Sequence, residues 1–162
     1  MKRITLIVMT LLMIVMAGCG AKETPAETAA APVVLNMQEL YDTVTGMEKI
    51  PEMLPLDVDM QLNFCGIAAE DCAQSVVAIC SDGLRTDEFW FIEATDADAL
   101  ARIRELAGNR LTAKGEESIT YSPEQYAVVQ KAEIIEIDNY FILLVSPEVT
   151  ELVTCVQGVA GK

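Results

Sequence analysis

Read for hydrophobic period alone, the chain changes rhythm several times. Ile4 to Met16 is apolar apart from Thr5 and Thr10, and Gly20 to Val34 has no period at all. A helical rhythm starts at Asn36. Asn36-Met37-Gln38-Glu39 has the form of a capping box, and Met37, Leu40, Tyr41, Val44 and Met47 recur at spacings of three and four, which predicts a helix to about Glu48. Pro51 and Pro55 then break the chain, and Asp57 to Cys65 reads as a short helix. Gln74 to Ser81 and Glu88 to Ala94 read as two strands joined through a turn at Asp82-Gly83. Thr95-Asp96-Ala97-Asp98 opens a further helix with a hydroxyl cap and an acidic first turn. Its stripe is Leu100, Ile103, Ala107 and Leu111, and Lys114-Gly115 marks the predicted end.

Ser122-Pro123-Glu124-Gln125 starts a short helix with proline at its first position, where the missing N–H costs nothing. Ala132 to Ile137 and Tyr140 to Ser146 form a hairpin around Asp138-Asn139, so that Ile137 faces Tyr140, Ile135 faces Ile142 and Glu133 faces Leu144. Ser146-Pro147-Glu148 caps a last helix with Val149, Leu152, Val153 and Val156 inward and Gly158 as its stop. The order α-ββ-α-α-ββ-α predicts an α+β domain over residues 35–162, an antiparallel sheet of two β-hairpins packed by helices. The strands barely alternate: Phe89 and Phe91 lie against Trp90 and Ile92, and Ile134, Phe141, Leu143 and Val145, with Glu136, stand opposite the first hairpin face. Such strands need cover on both faces or a partner on one, and two-sided cover is the favoured expectation.

Composition narrows the chemistry. The chain carries 11 Lys and Arg against 25 Asp and Glu, a net charge of −14, and has no histidine. That balance excludes a nucleic-acid grip, which needs clustered cations. The lack of histidine excludes Ser-His-Asp and Cys-His catalysis and most catalytic zinc sites. No cofactor motif is present.

The first residues carry an address. Met1-Lys2-Arg3 is a positive start, and the thirteen residues Ile4 to Met16 would cover roughly 20 Å as a helix, short of a ~30 Å bilayer core. Met16-Ala17-Gly18-Cys19 follows at once and resembles the lipobox of bacterial lipoproteins, with Met16 in place of the usual leucine. The resemblance implies that residues 1–18 are a cleaved lipoprotein signal peptide and that Cys19 receives a diacylglyceryl group. Residues 19–34, rich in Ala, Thr, Glu and Pro, are then a lipidated flexible tether. Two acyl chains give stable anchoring where one gives marginal binding. The implied location is the extracytoplasmic face of the cell membrane.

From about Leu35 to Val156 the chain also resembles domain of unknown function 4358, a family of small lipoproteins chiefly of Gram-positive Firmicutes. The pieces that match are Asp87-Glu88 at the start of a strand, a helix ending in Arg110, Tyr121-Ser122-Pro123-Glu124, and Asn139-Tyr140 entering an apolar strand that ends at Val145-Ser146. The family usually has glycine where this chain has Asp138 and a smaller residue where it has Trp90. No activity is established for the family, so the resemblance implies no catalytic residues.

Several residue sets remain to be weighed. After Cys19 there are four cysteines. Cys65 with Cys72, and Cys80 with Cys155, are the conceivable pairs, but four small buried apolar thiols is the favoured reading. Asp57-Val58-Asp59 and Asp96-Ala97-Asp98 lack the twelve-residue calcium loop, and the second set fits a helix dipole better. Arg110 sits on the shoulder of its helix stripe. It suits either an anionic ligand or, preferably, an ion pair to Asp87, Glu88 or the Tyr121 loop. The expected function is therefore a lipid-anchored, non-enzymatic binding or envelope-associated module, met by an envelope protein partner. A carboxylate-based cell-envelope hydrolase is the alternative, and a transporter's solute-binding lipoprotein is disfavoured because one lobe does not make a cleft.

Overall fold

The computed structural model describes residues 33–161, so the expected signal peptide 1–18, Cys19 and the expected tether up to residue 32 lie outside them. The apolar period at Asn36 forms helix α1 (Met37–Thr45), with Asn36 Oδ1 accepting the Glu39 N–H at 3.0 Å. The helix stops three residues short of Glu48. Met37, Leu40, Tyr41 and Val44 are its buried face.

A strand that the pattern does not predict follows. β1 (Met53–Pro55) follows Pro51, ends on Pro55 and pairs antiparallel with the far end of β2, Met53 opposite Cys80 and Pro55 opposite Ala78. Three residues are too few for an alternating period, and proline is tolerated in an edge strand. Asp57 caps the single turn α2 (Val58–Met60), which widens into a π-helical turn, Gln61–Cys65. Gly66 ends it at φ 75°, where a Cβ would stand 2.8 Å from Leu106 Cδ2, so both the backbone conformation and the close approach require glycine.

β2 (Cys72–Cys80) and β3 (Glu88–Ala94) pair antiparallel as expected. Asp82-Gly83 is only part of their connection, because the strands separate at Cys80 and residues 81–87 form a longer loop. α3 runs Ala97–Tyr121, a full turn and more beyond the expected stop at Lys114-Gly115. Gly115 is buried inside it, against Tyr126 and Val129 of the next helix and Gln130 just past its end. What ends α3 is Pro123, which drives the residue before it out of the helical region: Ser122 sits at φ −154°, ψ 100°. Ser122 then caps α4 (Pro123–Val129) by accepting the Gln125 N–H. At the other end of α3 the cap is Asp96, whose Oδ1 accepts the Ala99 N–H at 2.8 Å. Thr95, expected to supply a hydroxyl cap, instead donates to the Glu70 carbonyl.

β4 (Glu133–Ile137) and β5 (Tyr140–Val145) form the predicted hairpin in the predicted register. Asp138 takes φ 52°, the left-handed conformation that glycine adopts most easily and that Asp tolerates better than most residues. α5 (Val149–Val159) carries Val149, Leu152 and Val156 inward and runs past Gly158; the left-handed glycine is Gly161, at φ 73°.

The two hairpins join through their inner strands, β3 beside β5, into one antiparallel sheet of five strands in the order β1-β2-β3-β5-β4, an α+β fold. Both faces of the central strands are covered, while the edge strand β4 is largely exposed, Ile134 included. Phe89, Phe91, Ile142 and Leu144 pack beneath α1 and α5 in one core. Trp90, Ile92, Phe141, Leu143 and Val145 pack beneath α3, with Ile103 and Ala107, in the other. This accounts for the weak alternation of the central strands: β5 has no exposed side.

Candidate functional site

At the end of the sheet where β3 begins, the second core becomes ionic. Glu88 is the first residue of β3 and alternation turns it toward α3, on the same face as Trp90. Arg110 and Lys114, one turn apart on α3, reach down to it. Arg110 Nη2 stands 2.9 Å from Glu88 Oε2 and its Nε 3.1 Å from Oε1, a side-on pair. Lys114 Nζ is 3.0 Å from Oε2, and Trp90 Nε1 donates to Oε1 at 2.8 Å. The carboxylate is fully buried. Burial alone would push its pKa up, but the Arg110 hydrogen bonds and the Lys114 charge outweigh burial and hold it below the usual carboxylate range. The same cluster borders Cys65, whose thiol is pushed up to about 12, by burial first and by the Glu88 charge second.

Asp87, immediately before, is also buried and faces the other way. Arg85 grips it side-on, Nε to Oδ2 at 2.9 Å and Nη2 to Oδ1 at 3.2 Å, and Ser146 Oγ donates to Oδ1 at 3.0 Å. The loop is clasped to α4 as well: Gln125 Oε1 accepts from Thr86 N–H at 2.9 Å and from the Thr86 hydroxyl at 3.0 Å, while Lys114 donates to the Thr86 carbonyl.

Between this loop and the α3–α4 elbow lies a groove of about 670 Å³. Arg85, Arg110, Lys114, Ser122 and Gln125 line it, with Cys80 and Asp87 among its deeper residues. Leu84 on the loop and Tyr121 on the elbow stand almost fully exposed at its margins. Within a chain of net charge −14, cations thus gather at one place.

The residues singled out from sequence fall as follows. Arg110 makes the structural ion pair, with Glu88 among the partners expected. Asp87, Glu88, Arg110, Tyr121 and Ser122, scattered over the pieces that carry the family resemblance, come together around the groove, and Ser146 touches it through Asp87. Asp57 and Asp96 are helix caps, and among the described residues no cluster of His, Cys, Asp and Glu is arranged to hold a metal. Cys65, Cys72, Cys80 and Cys155 are free thiols, and neither conceivable pair forms. Cys19 lies outside the described residues. Sequence reasoning missed Arg85 and gave Lys114 only the role of a helix end; its four-residue spacing from Arg110 was the available signal.

Residues 47–146 match the family described as Domain of unknown function (DUF4358). The chain belongs to that family. No curated protein and no solved structure matches it. The DUF4358 match runs from just before β1 to Ser146, so it contains the whole groove and the sheet, and leaves out α1 and α5. Among the described residues no helix is long and apolar enough to cross a membrane.

Proposed function

We propose that this DUF4358 protein is an extracytoplasmic, lipid-anchored binding or envelope-associated module, tethered through a diacylglyceryl group on Cys19, and that the groove beside the α3–α4 elbow is its contact surface. The anchor is supported by the sequence order of positive start, apolar run, small residues and Cys19. The observation that carries the binding role is the state of the acids at the groove. A hydrolase of the two-carboxylate kind needs one carboxyl held protonated near neutral pH and a second facing it. Here Glu88 is held ionised, Asp87 and Glu88 face opposite ways, and each is gripped by cations of its own. The carboxyl groups whose ionisation the fold displaces, Asp71, Glu88 and Glu136, are all displaced downward by an arginine. Such charges are held in ion pairs; they do not supply a proton.

Growth with a clickable fatty acid, followed by fractionation, tests the anchor. The wild-type chain should carry the label in the membrane fraction, and Cys19→Ala should lose both the label and the mature size. Unlabelled wild-type protein in the cytosol with residues 1–18 intact would overturn the reading. The purified chain should also leave cell-wall, peptide and ester substrates unchanged; robust turnover abolished by Glu88→Gln would decide for the hydrolase.

A further inference from the structure

We infer that the groove takes the C-terminal carboxylate of a short peptide, held by the unused ends of Arg85 and Arg110; this rests on the reading of the groove as a binding surface. A guanidinium has five N–H donors in a planar fork. Arg85 spends its Nε and Nη2 edge on Asp87, and Arg110 spends the same edge on Glu88. The fork puts Nη1 on the opposite side from the paired carboxylate, and neither Nη1 has an acceptor among the described residues. Both side chains line the groove and keep part of their surface open, 35% for Arg85 and 25% for Arg110. The buried carboxylates therefore act as clamps that aim two forks before any ligand arrives.

The rest of the lining extends the preference. Gln125 uses its Oε1 on Thr86, which leaves its Nε2 donors without a partner among the described residues. The groove is rich in unused donors, so its ligand must bring acceptors, as a carboxylate and the peptide carbonyls behind it do. Its volume of about 670 Å³ exceeds what a lone small anion fills and lies within the usual range for ligand clefts. Leu84 and Tyr121, 86% and 83% exposed on opposite walls, offer apolar contact to the peptide's side chains. Glu117 is the exposed acid of the lining; it pairs with neither guanidinium, and its charge opposes an anion there.

The test uses the full chain in detergent micelles and a fluorescently labelled Ala-Leu-Ala-Leu peptide, as the free acid and as the C-terminal amide, followed by anisotropy. The acid should bind at least about tenfold more tightly than the amide. Arg85→Lys keeps the charge against Asp87 but removes Nη1, and should weaken the acid by about tenfold. Glu117→Gln disturbs no buried group and should tighten it by about two- to threefold, an effect that salt screens. Equal binding of acid and amide, binding of neither, or full displacement by millimolar inorganic phosphate would each overturn the inference. A photo-crosslinker at position 84 in intact cells decides the wider reading separately. Crosslinked product without a carboxylate preference removes the peptide end but keeps the binding surface, and no crosslink removes both.

Discussion

The two faces of the sheet are filled in different ways. Under α1 and α5, Met37, Leu40, Val44, Leu152 and Val156 meet Phe89, Phe91, Ile142 and Leu144, and Tyr41 sets its ring edge-on to Phe91 at 6.2 Å. Between those helices that face is apolar, with polar groups only at its ends, where Ser146 meets Asp87 and Gln74 meets Glu93, and its contribution to stability scales with the area it removes from water. Under α3 the filling changes along the helix. Ala99, Ile103 and Ala107 lie close on the sheet, and from Arg110 onward the contact is a fully buried carboxylate with two cations. Burying those charges roughly cancels their attraction, so an apolar filling of the same volume would stabilise at least as well. What the ion cluster adds is position: it ties the start of β3 to the second half of α3 and fixes the guanidinium that lines the groove. The DUF4358 match spans this face and the sheet, and omits both helices of the other.

Breaking each face once makes the contrast measurable. Leu152→Ala opens a cavity under α5 and should cost about 2–5 kcal/mol, by urea denaturation, with little dependence on pH. Arg110→Ala should cost a similar amount, about 3–5 kcal/mol near neutral pH, because it leaves the Glu88 charge buried with one partner fewer. The two losses differ in their response to acid. In the wild type Glu88 is held below the usual carboxylate value, so its contribution is complete above about pH 4.3, the unfolded value, and fades as pH falls through the lower folded value. Without Arg110, burial becomes the stronger influence and Glu88 takes its proton at a higher pH than in the wild type. The gap between Arg110→Ala and the wild type should therefore narrow steadily as the solution is acidified from neutral, while the Leu152→Ala gap stays constant. A gap for Arg110→Ala that is flat with pH would mean that its effect is packing alone.

The same contrast explains what could be read in advance. The register of the β4–β5 hairpin was legible because its two-residue turn fixes it, although each strand is one residue shorter than its apolar run. The capped starts of α1 and α4 were legible because a side chain within three residues satisfies a free N–H at each. The end of α3 was not. Gly115 reads as a stop in isolation, yet α4 packs on it, and only the fold shows that a glycine there is an interior contact. β1 was hidden because its partner lies more than twenty residues away and its own residues carry no period. The groove was half legible. Arg110 announced itself by its place on the helix, but the loop that carries Arg85 depends on where β2 and β3 part, which tertiary pairing decides.

If the faces differ only in their filling, the ends of their helices should respond alike. Asn36→Ala on α1 and Asp96→Ala on α3 each remove one side-chain acceptor from the first turn, at 3.0 and 2.8 Å. Each should cost about 1 kcal/mol. A much larger loss for Asp96→Ala would mean that the apolar end of α3 depends on its cap and that the ion cluster alone cannot hold the helix down.

The smallest change acts on the outside of α3. Gly108 is exposed between Ala107, which packs on the sheet, and Arg110, which reaches the cluster, and a Cβ there would meet nothing within 4 Å. Gly108→Ala removes backbone freedom from the unfolded chain without adding a contact in the folded one, so it should stabilise by about 0.5–1 kcal/mol. Because the substitution stiffens the helix where its apolar and ionic halves join, it also tests whether the two halves move together. If α3 is one rigid rod, amide exchange should slow at Ile103 and at Lys114 by the same factor. If the ionic half opens on its own, protection should rise at Ile103 and stay unchanged at Lys114, and the groove would then be the softer end of an otherwise firm face.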